Sequence, residues 1–361
     1  MRGINMGAGK VMAAMSGGVD SSVAALLLIQ SGYQVVGATL ELLSDPGEDN
    51  PAGGRDGSVV EDARRVADQL GIPHYVLNDR EAFEKKIIAY FCEEYLQGRT
   101  PNPCVRCNQL IKFGDLLRQA QSMGFDYLAT GHYARIQYDR QRQRYLLYRG
   151  QDRSKDQSYF LYLLNQEQLA HSLFPLGGYS KADIRTIAGA MELTVAEKSE
   201  SQEICFVTDD DYARLVEDRY PGSARPGPIL NRQGEVLGQH RGLLHYTVGQ
   251  RRGLRLAQGY PVYVLALDSR RNAVVVGRNE EVFANGCSVV QLNWIAVENL
   301  TQPLEVEAQI RYKAQPTRAM IRPRRDGSVQ VEFGEAVRAV TPGQAIVFYE
   351  GDVVVGGGTI V

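Results

Sequence analysis

Lys10-Val11-Met12-Ala13-Ala14-Met15-Ser16-Gly17-Gly18-Val19-Asp20-Ser21-Ser22 is the stretch on which the fold of this chain turns. Its first six residues read as a buried strand, and the apolar run beyond predicts a helix over Ser21–Gln30. Between them, Gly17 and Gly18 let the backbone approach a ligand closely and adopt conformations closed to other residues. The helix N-terminus would offer free N–H groups and a positive dipole end to an anion. Ser16, Ser21 and Ser22 would add hydroxyl donors. Asp20 beside phosphates calls for a cation, and Mg²⁺ suits oxygen ligands of this kind. The loop lacks the Gly-Lys-Ser/Thr ending of a Walker motif. A capped helix after a tight turn is the competing reading. The position at the carboxyl end of the first strand, where open α/β sheets bind ligands, favours phosphate binding.

Outward from the loop, strand signals at Gln34–Leu40, His74–Leu77 and Tyr127–Thr130 alternate with helix signals at Ser58–Leu70, Arg80–Leu96 and Gln109–Met123. The Gly-, Pro- and Asp-rich segment Gly47–Gly57 reads as a mobile loop. This rhythm predicts a doubly wound α/β domain whose parallel sheet is covered on both faces. From about Asp209 the pattern changes to Gly-Pro punctuation such as Arg225-Pro226-Gly227-Pro228. After Gly277, Val-rich runs alternate with turns at Asp326-Gly327, Thr341-Pro342-Gly343 and Glu350-Gly351-Asp352, which predicts a small β-barrel. The expected division is a catalytic domain over 1–205, a small central domain over 206–278 and a C-terminal β-barrel over 279–361.

With 361 residues, 44% of them hydrophobic, the chain has material for two or three cores. No apolar run approaches the ~20 residues of a membrane span. Val11–Met15 stops at Ser-Gly-Gly, unlike a secretory leader, so a cytoplasmic location is expected. The net charge of −2 does not itself suggest a nucleic-acid partner, but the arginines are clustered. One cluster holds Arg241, Arg251, Arg252 and Arg255, with no acidic residue between Glu235 and Asp268. A second holds Arg311, Lys313, Arg318, Arg322, Arg324 and Arg325, and a third runs from Arg135 through Arg140, Arg142, Arg144, Arg149 and Arg153 to Lys155. Each reads equally as a phosphate-neutralising stripe or a solvated strand face.

Five cysteines in a cytosolic chain point away from structural disulfides and toward redox or metal chemistry. Cys92, in a periodic apolar run, and Cys287, in a strand-like stretch, read as inert core. Gly98-Arg99-Thr100-Pro101-Asn102-Pro103-Cys104-Val105-Arg106-Cys107-Asn108 is different. Its prolines enforce an extended backbone. They predict a loop leading into a helix near Gln109, with Asn108 as N-cap and a thiolate stabilised at that terminus. Cys205 follows in Ser201-Gln202-Glu203-Ile204-Cys205-Phe206; a zinc ribbon would want a second C-x-x-C. His74, His171 and His240 read as structural, Tyr159–Leu164 as buried material, and Trp294 as barrel core ahead of base stacking.

The glycine loop is similar to the Ser-Gly-Gly-x-Asp-Ser signature of the PP-loop ATP pyrophosphatases, which cleave ATP between its α and β phosphates and transfer AMP to a substrate oxygen. Adding Gly98–Asn108, Ala129-Thr130-Gly131-His132-Tyr133, Lys155-Asp156-Gln157-Ser158-Tyr159, Ser201–Phe206 and His245–Gly253, the chain closely resembles the tRNA-specific 2-thiouridylases over nearly its whole length. The resemblance implies a PP-loop domain that binds ATP, with Mg²⁺, at Ala14, Met15, Ser16, Gly17, Gly18, Val19, Asp20, Ser21, Leu40 and Gly131. It implies adenylation of the C2 oxygen of the wobble uridine in tRNA. Asn102, Pro103 and Cys104 would touch the target base, and His132, Lys155, Asp156, Gln157, Arg311, Tyr312 and Gln344 the tRNA. Cys205 would carry a persulfide supplied by a sulfur-relay protein or cysteine desulfurase; Cys107 would be the nucleophile that helps release the sulfur, and the two can form a disulfide.

Some members carry Asp, with an acid/base role, where this chain has Cys104. Three thiolates, Cys104, Cys107 and Cys205, could instead hold a [4Fe–4S] cluster whose free iron binds sulfide. Three other classes compare less well. An amidotransferase-like synthetase would need a glutaminase domain, and a binding module would release no pyrophosphate. A cytosine-thiolating PP-loop enzyme would lack the barrel and the Thr-Pro-Asn-Pro lead.

Overall fold

The computed structural model describes residues 9–43, 56–195, 204–207, 209 and 211–361. Most of the Gly47–Gly57 segment, and Ser201–Glu203 ahead of Cys205, lie outside the described residues. The chain opens with β1 (Lys10–Ala14), α1 (Val19–Gln30), β2 (Gln34–Glu41), α2 (Asp56–Leu70) and β3 (His74–Asn78). Next, α3 (Arg80–Phe83) passes through a π-helical stretch (Glu84–Ile88) into α4 (Ala89–Leu96). Then α5 (Pro103–Cys107) passes through a second π-helical stretch (Asn108–Leu116) into α6 (Leu117–Ser122) and β4 (Tyr127–Ala129). After the hairpin of β5 (Ala134–Asp139) and β6 (Arg144–Arg149) come α7 (Gln166–Ala170), β7 (Ser172–Leu173) and α8 (Lys181–Ala190).

The sheet order is β3-β2-β1-β4-β7, with every pairing parallel. Parallel neighbours require crossovers, and the helices supply them. The order reverses between β1 and β4, so their carboxyl ends open the crevice where such sheets take ligands. The predicted α/β architecture is therefore present, with one correction. The helix carrying the C-x-x-C starts at Pro103, not near Gln109, and its N-cap is Asn102, whose side chain accepts from Val105 N. Proline at the first helical position loses nothing, because its missing N–H would be unpaired there anyway. The prolines thus start a helix where an extended loop was expected.

A central unit contains α9 (Tyr212–Arg219) and a four-stranded sheet of β8 (Gly227–Leu230), β9 (Val236–His240), β10 (Tyr263–Asp268) and β11 (Ala273–Gly277). The last six strands are β12 (Phe283–Trp294), β13 (Leu304–Gln309), β14 (Thr317–Pro323), β15 (Val329–Arg338), β16 (Ala345–Glu350) and β17 (Val353–Ile360). They close into a barrel in the order β12-β15-β14-β13-β16-β17, with β17 pairing back to β12. Closure removes the free edges that an open sheet would expose.

The hairpin β5–β6 extends this barrel sheet through Val353 and Tyr148, an attachment the sequence reading did not foresee. It changes the meaning of the third arginine cluster. Arg135 and Arg153 pair with Asp352, and Arg142 lies near Asp139 and Glu350. Arg144 donates to the carbonyls of Ile295 and Trp294, and buried Arg149 lies over the Tyr349 ring. These arginines fasten the first domain to the barrel and are not a free phosphate stripe. The same junction shares one apolar core, in which Met12, Val105, Phe113, Tyr159 and Tyr162 pack with Ala345, Val347, Tyr349 and Val354. Tyr159 and Tyr162 donate their hydroxyls to Ala345 O and Gly358 O, which satisfies both phenols in that core. Trp294 stacks on Phe348, in keeping with a barrel role. Among the described residues no helix is long and apolar enough to cross a membrane.

Candidate active site

The glycine loop leaves β1 at the switch point and enters α1 with Gly18 as N-cap and no side-chain cap. Nothing from a side chain therefore occupies the cap, as an anion site at a helix start requires. Gly17 has φ +60 and its backbone passes against Val59, where a Cβ would meet the carbonyl oxygen at 2.7 Å. Only glycine satisfies both conditions. Ser21 and Ser22 are buried and donate to Gly18 O at 3.1 and 2.9 Å, and Ser21 Oγ accepts from Ser16 N. Their hydroxyls brace the loop and do not point outward as expected. Ser16 is the exposed serine of the three.

Asp20 is held at 2.8 Å by Lys181 Nζ through both carboxylate oxygens, and Tyr133 donates its hydroxyl to the same group at 2.8 Å. Lys181 begins α8, and its backbone N–H is fixed by Asp152. The positive charge that Asp20 demanded thus comes from within the chain. At Asp20 Lys181 supplies charge of the kind that a Mg²⁺ ion would supply. Gly131 follows β4 across the crevice, where a Cβ would lie 2.9 Å from the backbone of Asp20 and Ser21. Leu40, near the end of β2, packs with the cores on either side.

Cys107 and Ile204, the neighbour of Cys205, pack against the core that Leu40 of β2 also touches. Cys104 and Cys205 reach solvent and Cys107 is half-buried. Burial by the protein around them raises all three thiols, Cys107 to about 11 and Cys205 to about 12. Cys107 and Cys104 add to the rise at Cys205, so the three lie within electrostatic reach of one another. The stabilised thiolate expected here is therefore replaced by neutral thiols at pH 7. Burial outweighs the helix end, because Cys107 lies a full turn inside its helix. Among the described residues no group of three His, Cys, Asp or Glu side chains is arranged to hold a metal ion.

Cys205 is positioned by its neighbours. Phe206 meets Phe83 and Phe91 edge to face, at 5.8 and 5.1 Å between centroids, and Ile204 and Cys107 pack against the same core. Phe206→Ala should remove about 3–5 kcal/mol of packing. It should also slow Cys107–Cys205 disulfide formation under mild oxidation about a hundredfold, since small misplacements of reacting atoms have that effect. Non-reducing peptide mass spectrometry measures it.

The residues assigned to tRNA divide. Asp156 is buried, accepts from Gly150 N, Ser158 N and Ser158 Oγ, and lies 3.8 Å from Arg149. Its carboxylate braces the interior. Gln157 Oε1 accepts from Tyr133 N, and Gln344 donates to the carbonyls of Thr100 and Pro101, tying the barrel to the segment before Cys104. Arg311 donates to Arg338 O and Ala339 O, and Tyr312 packs on Phe160. His132 lies between Phe113 and Phe174 and accepts from or donates to Thr130 Oγ1; burial and Lys112 keep it neutral. Lys155 is half-buried. Arg241, Arg251, Arg252 and Arg255 are exposed, and their side chains form no ion pair among the described residues, so that cluster is open to phosphates.

Lys181, Tyr133 and Lys112 went unforeseen. Lys181 lies 161 residues from Asp20, a pairing no spacing rule reveals.

Three family models match the chain: a tRNA methyl transferase HUP domain over 9–209, a tRNA methyl transferase PRC-barrel domain over 216–278 and an aminomethyltransferase β-barrel domain over 284–360. A tRNA-specific 2-thiouridylase of Heliobacterium modesticaldum is 55% identical over 357 residues, 97% of this chain and 92% of that protein. One from Moorella thermoacetica is 53% identical over 353 residues, 97% of this chain and 98% of that protein.

Proposed function

The chain belongs to the tRNA-specific 2-thiouridylase family, and from that premise we propose how its residues divide the reaction. It is a sulfurtransferase acting on tRNA, built on an ATP-using PP-loop domain. In the proposed sequence, ATP lies on Ala14–Ser21 with its phosphates at the N-terminus of α1, flanked by Leu40 and Gly131. The C2 oxygen of the wobble uridine attacks the α-phosphorus, forming the adenylated base and releasing pyrophosphate. The terminal sulfur of a persulfide on Cys205 then adds at C2, and AMP departs with the former uridine oxygen. Cys107 finally attacks Cys205 Sγ. A Cys107–Cys205 disulfide forms and the sulfur stays on the base as a thiocarbonyl. A sulfur-relay protein or cysteine desulfurase would recharge Cys205 after a reductant reopens the disulfide.

The observation that carries this reading is the meeting of two halves in one crevice. The uncapped helix start and Gly131 lie at the ends of β1 and β4, and Leu40 of the neighbouring β2 packs against the core that also takes Cys107 and Ile204. Asn102, Pro103 and Cys104, at the start of α5, would hold the target base between them. The exposed arginines of the central unit would take backbone phosphates.

Within this scheme Lys181, which pairs with Asp20 at the loop, would exchange that carboxylate for a phosphate. Lys181→Met should weaken ATP binding about tenfold or more, roughly 1.4 kcal/mol, read by calorimetric titration. The scheme as a whole is tested with purified protein, unmodified tRNA, ATP and a persulfide donor under anaerobic, iron-free conditions. One pyrophosphate per 2-thiouridine is expected. Thiolation that appears only with stoichiometric protein-bound iron would replace the persulfide by sulfide on a cluster.

A further inference from the structure

We propose that Lys112 is the cation that holds the anionic sulfur of this site, contacting the thiolate or persulfide as sulfur moves; the proposal rests on the reading that Cys107 and Cys205 handle that sulfur. The local geometry begins with the π-helical stretch that follows Cys107. In an α-helix, residues five apart diverge by about 140° around the axis, so Cys107 and Lys112 would face apart. The i→i+5 bonding of a π turn instead brings the fifth residue back over the first. The wider turn thus rotates Lys112 toward the side of the helix that carries Cys107, while its neighbours Ile111, Phe113 and Leu116 stay buried in the core.

Lys112 is half-buried, and among the described residues its side chain forms no hydrogen bond or ion pair. A partly desolvated ammonium without an anion is an incomplete arrangement. Its electrostatic influence reaches Cys104, Cys107, Cys205 and His132 together. The carboxylates nearby are otherwise disposed. Asp115 pairs with Lys86 at 2.6 Å and with Arg118. Asp79, at the end of β3, has Oδ2 buried without a partner and acts on Cys107 in the opposite sense. With its charge acting on all three thiols, the anion that completes Lys112 is a sulfur anion. Because the thiolate is the reactive form of cysteine, a cation beside it raises the reactive fraction.

The test is the rate of iodoacetamide modification at pH 7 in the full chain without ATP or tRNA, resolved by peptide mass spectrometry. Cys287, in β12 of the barrel, serves as the internal reference. Lys112→Met should slow modification of Cys107 about tenfold, one pKa unit's worth. Lys112→Arg should restore it to within about twofold, with Cys287 unchanged in both. An unaltered Cys107 rate in Lys112→Met overturns the proposal. So does equal loss in Met and Arg variants with Cys287 accelerated, which marks a structural role. An unaltered rate together with lost pyrophosphate release would assign Lys112 to the adenylate instead, which also overturns it. If Cys107→Ala and Cys205→Ala both thiolate tRNA normally, the functional reading falls, while the modification rates still report whether Lys112 holds a thiolate.

Discussion

Cys205→Ala is expected to release pyrophosphate in the presence of tRNA and ATP yet to leave the tRNA unthiolated. In the proposed scheme, activation of the base uses the loop before α1 and Gly131 and does not require the Cys205 thiol. Sulfur delivery needs Cys205 itself, so thiolation should fall at least about a thousandfold, as when a covalent nucleophile is removed. Cys107→Ala should fail differently. The sulfur would already join the base to Cys205, but nothing would cleave the sulfur–sulfur bond. A tRNA–protein adduct that dithiothreitol dissolves should therefore accumulate, visible as a shifted band on a denaturing gel. A normal thiolation rate in either variant removes that residue from the scheme.

Gly131→Ala should have an effect of comparable size on the other half-reaction. The added Cβ would meet the backbone of Asp20 and Ser21 at 2.9 Å. Two backbones cannot both give way, because β4 is held in the sheet through Leu128 and Ala129 and α1 through its own ladder. The end of β4 must move away from the helix start, opening the crevice by a few tenths of an ångström or more. Overpacking of this kind costs about 1–3 kcal/mol of stability. Misplacing the phosphate site should lower tRNA-dependent pyrophosphate release about a hundredfold. tRNA binding would also draw on the exposed arginines of the central unit, so most of it should persist in a filter-binding assay. Together the variants divide the reaction: Gly131→Ala loses pyrophosphate release and Cys205→Ala keeps it.

Much of the fold was legible because strand, glycine loop and helix each carry their own local signal. The run from Lys10 to Gln30 and the barrel turns at Asp326-Gly327 and Thr341-Pro342-Gly343 could be read from period and turn chemistry alone. Pro101 and Pro103 misled because proline means both an extended segment and a first helical residue, and only Asn102 as cap decides between them. The π-helical stretches left no mark, since the apolar spacing that defines them differs from an α-helix by one residue. The arginine run from Arg135 to Arg153 left a phosphate stripe and a solvated strand face equally open because its acidic partner, Asp352, comes some two hundred residues later. Lys181 on Asp20 was hidden for the same reason. Long-range pairing is set by topology, and topology is what a single sequence expresses least.

The central claim, that the uridine oxygen is made a leaving group by adenylation in this crevice, has one direct measurement. A tRNA whose wobble uridine carries ¹⁸O at C2 is thiolated by the purified protein, and the AMP released is analysed by mass spectrometry. One ¹⁸O per AMP, matched to each 2-thiouridine formed, is the predicted result. Unlabelled AMP, or ADP and phosphate in its place, would contradict the account.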